Sequence, residues 1–302
     1  MQRHPFTVVY LFMRSRWLPL LFCFSAGSAF AQIQVDLKFP RLQYIAYEPV
    51  VANLEITNLA GRDVDLHDAD GQAWFGFEVT GNEGSAIAPI ANAATEPLEI
   101  GAGKRVTQKI NLTPLFGVHD LGNYRVRAHI YFADLNKFFY SATKVFEVTD
   151  AHPIWQKSVG VPADTGASGN ARTYSLLTNR FPDHTSLYVR VEDKDTGIVY
   201  VTYSLGQIIA FDQPQAEFDG SNQLHVLYCT APRTWAYARV GLNGELVSRA
   251  SFSETKTRPR LVHSEDGVVT VSGGMIQTEM TQTTRESAPK LSARPPNMPK
   301  EN

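Results

Sequence analysis

Between residues 32 and 149, apolar residues recur at every second position in short runs. QVDLKF opens the series. VANLEIT sets Ala52, Leu54 and Ile56 on one face, DVDLH sets Val64 and Leu66, and FGFEV sets Phe75, Phe77 and Val79. RVTQKINL aligns Val106, Ile110 and Leu112. YRVRAHIYF aligns Tyr124, Val126, Ala128, Ile130 and Phe132, with Arg125, Arg127 and His129 opposite, and FFYSATKVFEV closes the run. The breaks read NLAGRD, DADG, GNEG and GAGK. A two-residue period in short segments between such turns predicts half-buried strands, and no long amphipathic helix interrupts them. The pattern predicts an all-β sandwich over 32–149.

Residues 150–172 lose the alternation and hold Pro153, Pro162 and several glycines, which predicts a linker, with Trp155 docking it onto a neighbour. Strands return over 173–275 with a longer rhythm. SLYVRVEDKDTGIVYVTYSLG predicts a hairpin around Asp193–Gly197. QLHVLYCTAPRTWAYARVGLNGELV predicts three strands joined at Ala231-Pro232 and Gly244, and RPRLVHSEDGVVTVSGG begins the pattern again. Residues 276–302 carry few large apolar side chains, repeated proline and mixed charge, which predicts a disordered tail.

DLGNYRVRA, residues 120–128, has the form of a tyrosine corner. Tyr124 precedes by two residues the position where antibody domains carry a cysteine, and here that position is Val126. Together with YEPVVANLEITN, this stretch resembles bacterial immunoglobulin-like and macroglobulin-like modules. It is also similar to the sandwich of proteinase-inhibitor-like proteins. The resemblance covers about 115 residues and implies an immunoglobulin-like architecture; no inhibitory loop can be matched to it. In the second region, the prolines of QPQAEFDGSNQLHV and RPRLVHSEDGVVTV each precede a strand, a glycine turn and another strand. This resembles propeller-blade repeats of about 40–45 residues. Only two to three units are present, and a closed propeller needs about four. The expected second unit is therefore a small blade-like β domain with edges covered by the first.

The N-terminal pattern predicts export from the cytoplasm. Arg3, Arg14 and Arg16 precede an apolar stretch from Trp17 to about Phe24, and Ala29-Phe30-Ala31 forms a small-residue cleavage site. The expected leader is 1–31, cleaved after Ala31, leaving a periplasmic or secreted chain with no membrane span. Lys+Arg then falls from 28 to 25 while Asp+Glu stays at 30, a net charge of −5. That balance argues against a nucleic-acid partner. One cysteine, Cys229, remains, so no internal disulfide can form.

The chain shows no H-E-x-x-H, C-x-x-C, G-x-S-x-G or phosphate-binding loop, so neither a metal nor another cofactor is expected. HDADG (67–71) reads as a hairpin turn and EDKDTG (192–197) as a solvated turn. His225 alternates with Leu224 and Val226 and is expected at the surface or an edge. Cys229 is expected to be buried and inert. Four residues of strand span about 13 Å, too far for these two to share a proton.

Aromatic residues are the remaining resource, and Trp74, Trp235 and Tyr237 are the candidate binding surface. Packing is the stronger expectation for Trp235, Tyr237 and Arg239, which share one face of TWAYARV. The leading functional expectation is an exported non-enzymatic protein that binds a protein or cell-envelope component through loops at one sandwich end, such as HDADGQAW and TPLFGVHD. A polysaccharide-acting hydrolase or its accessory subunit is the alternative, needing Asp193, Asp212 and Asp219 to converge. A proteinase inhibitor is the third, on fold likeness alone.

Overall fold

Trp74 and Phe75 share one core with Ile130 and Phe132, and Phe75 pairs across the sheet with Ile130. A computed structural model of the chain describes residues 33–91, 96–162, 171–209 and 211–281. With 59% strand and 4% helix, the all-β expectation holds. A three-stranded antiparallel sheet runs β1 (Ile33–Lys38), β3 (Val51–Asn58), β8 (Arg105–Asn111). A larger sheet runs β2 (Gln43–Ile45), β11 (Lys144–Thr149), β9 (Gly122–Phe132), β5 (Phe75–Thr80), β6 (Ala86–Ile87). In it β10 (Lys137–Tyr140) also pairs with β9, and a short ladder joins β4 (Val64–Leu66) to β7 (Leu98–Ile100). One core fills the space between the sheets, drawing Ala52, Leu54 and Ile56 from β3 and Tyr124, Val126, Ala128 and Ile130 from β9. These are the positions that the alternation aligned, because strand side chains point to opposite faces in turn.

Tyr124 donates its hydroxyl to the Asp120 carbonyl at 2.8 Å and stacks on Phe146 at 5.2 Å between ring centroids. Gly122, at φ 138°, is required there: a Cβ would lie 1.8 Å from the Asn82 side-chain nitrogen. Asn82 in turn accepts from the Asn123 N–H at 2.8 Å and donates to the Leu121 carbonyl, clamping the corner.

The second unit is two antiparallel meanders laid face to face. One runs β12 (His152–Gly160), β13 (Ala171–Arg180), β14 (Thr185–Asp193), β15 (Val199–Ile208). The other runs β16 (Gln215–Phe218), β17 (Leu224–Ala231), β18 (Thr234–Val240), β19 (Leu246–Ser253) and then β22 (Met275–Thr281). Their facing sides share a core that includes Tyr174, Leu187, Val189, Leu224, Val226 and Ala238. The hairpin β20 (Arg260–His263) and β21 (Val269–Ser272) covers the opposite face of the five-stranded sheet, over Leu227, Cys229 and Trp235.

Two boundaries differ from expectation. The stretch read as a linker contains β12, a nine-residue edge strand. Its ladder shifts register between Pro153 and Trp155, as an edge tolerates where a proline cannot donate. Trp155 does dock, 6.0 Å from the Phe218 ring. The stretch read as a tail begins with β22, which pairs with β19 over Met275–Thr281. Both strands are mostly exposed along an edge, so alternation does not mark them. The leader at 1–31 and residues 282–302 lie outside the described residues.

Candidate functional site

Tyr237 leads from the predicted surface into a hydrogen-bonded relay. It lies on β18 directly across from Leu227 and two register positions from the His225–Arg239 pair. Its hydroxyl is 2.8 Å from His225 Nδ1, and His225 Nε2 is 3.0 Å from Asp219 Oδ2. With Asp219 ionised, Nε2 carries the proton and Nδ1 accepts from the Tyr237 hydroxyl. Asp219 is fixed by its own turn: its Oδ1 accepts from the Ser221 and Gln223 N–H groups at 2.9 Å each. Burial opposes its ionisation, but the His225 and backbone hydrogen bonds outweigh burial and hold the carboxyl below the usual range. Burial also lowers the His225 pKa, with Asp219 pulling it partly back. The hairpin closes over this end through the Gly220 N–H, which donates to the Gly267 carbonyl at 2.9 Å.

His225 is thus 2% exposed rather than at the surface, because the β20–β21 hairpin covers the face that alternation assigned to solvent. Trp74 and Trp235 are 0% and 2% exposed, which corrects their placement on a binding surface. Trp74 packs on Phe75 in the first core. Trp235 lies under the hairpin with the Arg258 guanidinium 4.4 Å from its ring centroid. Of the three candidates only Tyr237 keeps partial exposure. Cys229 is buried as expected, its thiol donating to the Ala231 carbonyl at 3.2 Å, and burial raises its pKa.

The three aspartates do not converge. Asp212 and Asp219 stand at opposite ends of β16, and Asp193 ends β14 in the other sheet. Asp212 is held by Arg258 at 2.6 and 2.7 Å. Asp193 is buried, which corrects its reading as part of a solvated turn. Its Oδ1 accepts from the N–H groups of Asp195 and Thr196 and from the Thr196 hydroxyl, and its Oδ2 from Tyr200 at 3.2 Å and Arg172 at 3.2 Å. Burial works against its charge, but these donors prevail and its pKa falls. Arg172 is itself wholly buried, with its guanidinium 4.3 Å from the Tyr200 ring centroid. Among the described residues no group of three or more His, Cys, Asp or Glu side chains is placed to hold a metal.

No family model, no curated protein and no solved structure matches this chain.

Three further features bear on function. The two units meet at a wired junction. Arg41 donates to Glu48 at 2.6 Å and to the Tyr188 hydroxyl at 3.3 Å, and Arg190 donates to the Ala46 carbonyl at 2.7 Å. Ile45, Ala151, Leu177 and Tyr188 fill the space between. Tyr47, at φ 66°, stacks on His119 at 4.9 Å and receives Arg190 over its ring at 5.3 Å. TPLFGVHD therefore serves the junction, where His119 stacks. HDADGQAW lies at the other end of β9, roughly 33 Å away at about 3.3 Å per residue. The two loops do not share one end, since one leads into Gly122 and the other into Phe75, which pairs with Ile130. HDADG does form a tight turn, with Asp70 and Gly71 at φ 53° and 75°.

The second feature is the outer face of the larger sheet in the first unit. Arg125, Arg127 and His129 share this face with Val145 and Tyr140, their cross-strand partners on β11 and β10. Tyr140 and Val145 are 46% and 47% exposed. The Arg127 guanidinium lies 4.2 Å from the Tyr140 ring centroid and also pairs with Glu78 at 2.7 Å. His129 lies against Gly76, where a Cβ would meet its ring at 2.5 Å, and its Nδ1 is buried without a partner. Phe138 extends the ladder, 6.2 Å from Tyr140 and 5.0 Å from Tyr131.

The third is a cavity of about 210 Å³ lined by residues of β15, β17, β18, β19 and β22. The Leu187/Tyr188 register shift against Gly206/Ser204 leaves Leu205 as a bulge, with Gly206 at φ 124°. The bulge carbonyl accepts from the Tyr228 hydroxyl and, at 2.7 Å, from Arg249. Burial pushes the Tyr228 phenol up to about 12, with Arg249 opposing. The bulge leaves no periodic trace in the sequence, and Arg249 in LVSRASFS looks like any outward cation.

Proposed function

We propose that the chain is an exported, non-enzymatic binding protein. Its first unit is an immunoglobulin-like sandwich entered through the 1–31 leader and cleaved after Ala31, and its second a blade-like β domain. The partner is a protein or a cell-envelope component. The observation that carries this reading is the Arg125, Arg127, Tyr140 and Val145 face. Tyrosine and arginine are the residues that concentrate binding energy at interfaces, and here they stand on a stiff sheet. The tyrosine corner supports the immunoglobulin-like assignment. The wired junction supports a scaffold that presents this face in one fixed orientation. The hydrolase alternative loses support because Asp193, Asp212 and Asp219 are each taken up by separate partners.

The test is retention of the processed chain on isolated envelope material, compared across surface variants. Tyr140→Ala and Arg125→Glu are expected to weaken retention about tenfold or more, the effect of losing a hot-spot side chain. Lys104→Glu, on a distant turn, is expected to leave it unchanged. Equal retention for all three, or none for the unaltered chain, overturns the proposal.

A further inference from the structure

We infer that the cavity between the β15 bulge and strands β17, β18, β19 and β22 is a binding site for a small oxyanion, a carboxylate or a phosphoryl group. This site belongs to the second unit and is independent of the partner-binding face on the first.

Its lining combines one fixed cation with hydroxyl groups. Arg249 lines it, and so do Tyr228, Thr230, Ser251 and Thr278. No carboxylate is among the lining residues. The Tyr228 phenol stays protonated at neutral pH, so the lining carries a single positive charge. Arg249 is half-buried and spends one guanidinium nitrogen on the Leu205 carbonyl at 2.7 Å. A half-buried guanidinium with no acid among the lining residues is favoured by an anion beside it. The planar guanidinium matches the paired oxygens of a carboxylate or phosphoryl group.

The space is built into the strands. Cross-strand partners share a face, so Ala236 stands with Ser251, and Ser251 with Thr278, all turned to the cavity side. A small residue at Ala236 leaves open what a leucine would fill. The Leu205 carbonyl orients the guanidinium from one side, as a backbone clamp that needs no competing acid. About 210 Å³ admits one small anion together with water, and excludes a nucleotide or an oligosaccharide.

The test is calorimetric titration and thermal unfolding of the full processed chain at fixed ionic strength, with acetate or inorganic phosphate replacing chloride. Saturable heat and a rise of the midpoint by roughly 5–10 °C at about a hundredfold excess over Kd are expected. Response to phosphate alone assigns a phosphoryl ligand, and response to acetate alone a carboxylate; either supports the site. Arg249→Lys keeps the charge but loses the fork, and is expected to weaken binding about tenfold. Ala236→Leu leaves Arg249 in place and is expected to abolish binding. Titration of the unaltered chain decides the question even where a variant does not fold. No saturable response, a response shared equally by chloride, or binding that survives both substitutions overturns the inference.

Discussion

The two units of the molecule are both all-β, yet they bury different things. In the first, the space between the sheets is an apolar layer, and its buried polar residues include Asn58, Thr113 and Ser141, neutral groups that serve the backbone. Its buried charge, Glu48, sits at the junction, where burial lifts its pKa and Arg41 pulls it partly back. The second unit encloses Arg172, Asp193 and His225. Topology explains the contrast. The larger sheet of the first unit has one solvated face, so inward and outward positions alternate and register follows from the pattern. The five-stranded sheet of the second unit is covered on both faces, and β17 is buried from Leu224 through Cys229. A strand buried on both sides loses the alternation that distinguishes one register from the next. Charged anchors at the strand ends, Asp193 closing β14 and Asp219 before β17, supply what the pattern does not.

The contrast can be broken most directly at Asp193. Asp193→Ala leaves Arg172 buried with its acid partner removed and is expected to cost about 3–5 kcal/mol by urea unfolding, whereas exchanging both residues for apolar ones of similar volume costs far less. A loss under about 1 kcal/mol for Asp193→Ala removes the case for charged anchors. Leu54→Ala in the first core is next, expected to cost about 2–5 kcal/mol through the cavity it leaves. Its unfolding midpoint is expected to change little with pH relative to the unaltered chain, since no titrating group is touched.

The third effect is pH dependence. The folded pKa of His225 lies below its unfolded value of about 6.5, so the unfolded chain takes up the proton first. Stability from this group is complete above that value and is lost as pH falls towards the folded pKa. The thermal midpoint is expected to drop between about pH 7.5 and 5.5, and His225→Gln to flatten the curve. A curve of equal slope in the variant assigns the dependence to His129, whose pKa burial also lowers. The smallest effect is Tyr124→Phe, which removes the corner hydrogen bond and is expected to cost about 1 kcal/mol by denaturant unfolding.

Legibility in the sequence follows the same division. The strands of the first unit, their inward residues and the Tyr124 corner could be read from alternation and glycine placement, because each is a local property. The hairpins at Asp193–Gly197 and Gly244 were legible for the same reason. His225 was misplaced because its solvent side is covered by residues nearly 40 positions later, a fact held only in the tertiary arrangement. Trp74 and Trp235 offered size without direction. Asp219 carried no trace of its histidine partner beyond proximity in the chain. β12 and β22 were missed because edge strands that pack on one neighbour need no hydrophobic period.

The placement of β22 has one more consequence. It skips over the β20–β21 hairpin to join β19, so during synthesis the rim of that sheet stays bare until residue 281 emerges. Until then β19 offers a free row of amides and carbonyls, the template on which neighbouring copies can trade segments. A fragment ending before Met275 is therefore expected to run as dimers and larger species on a sizing column.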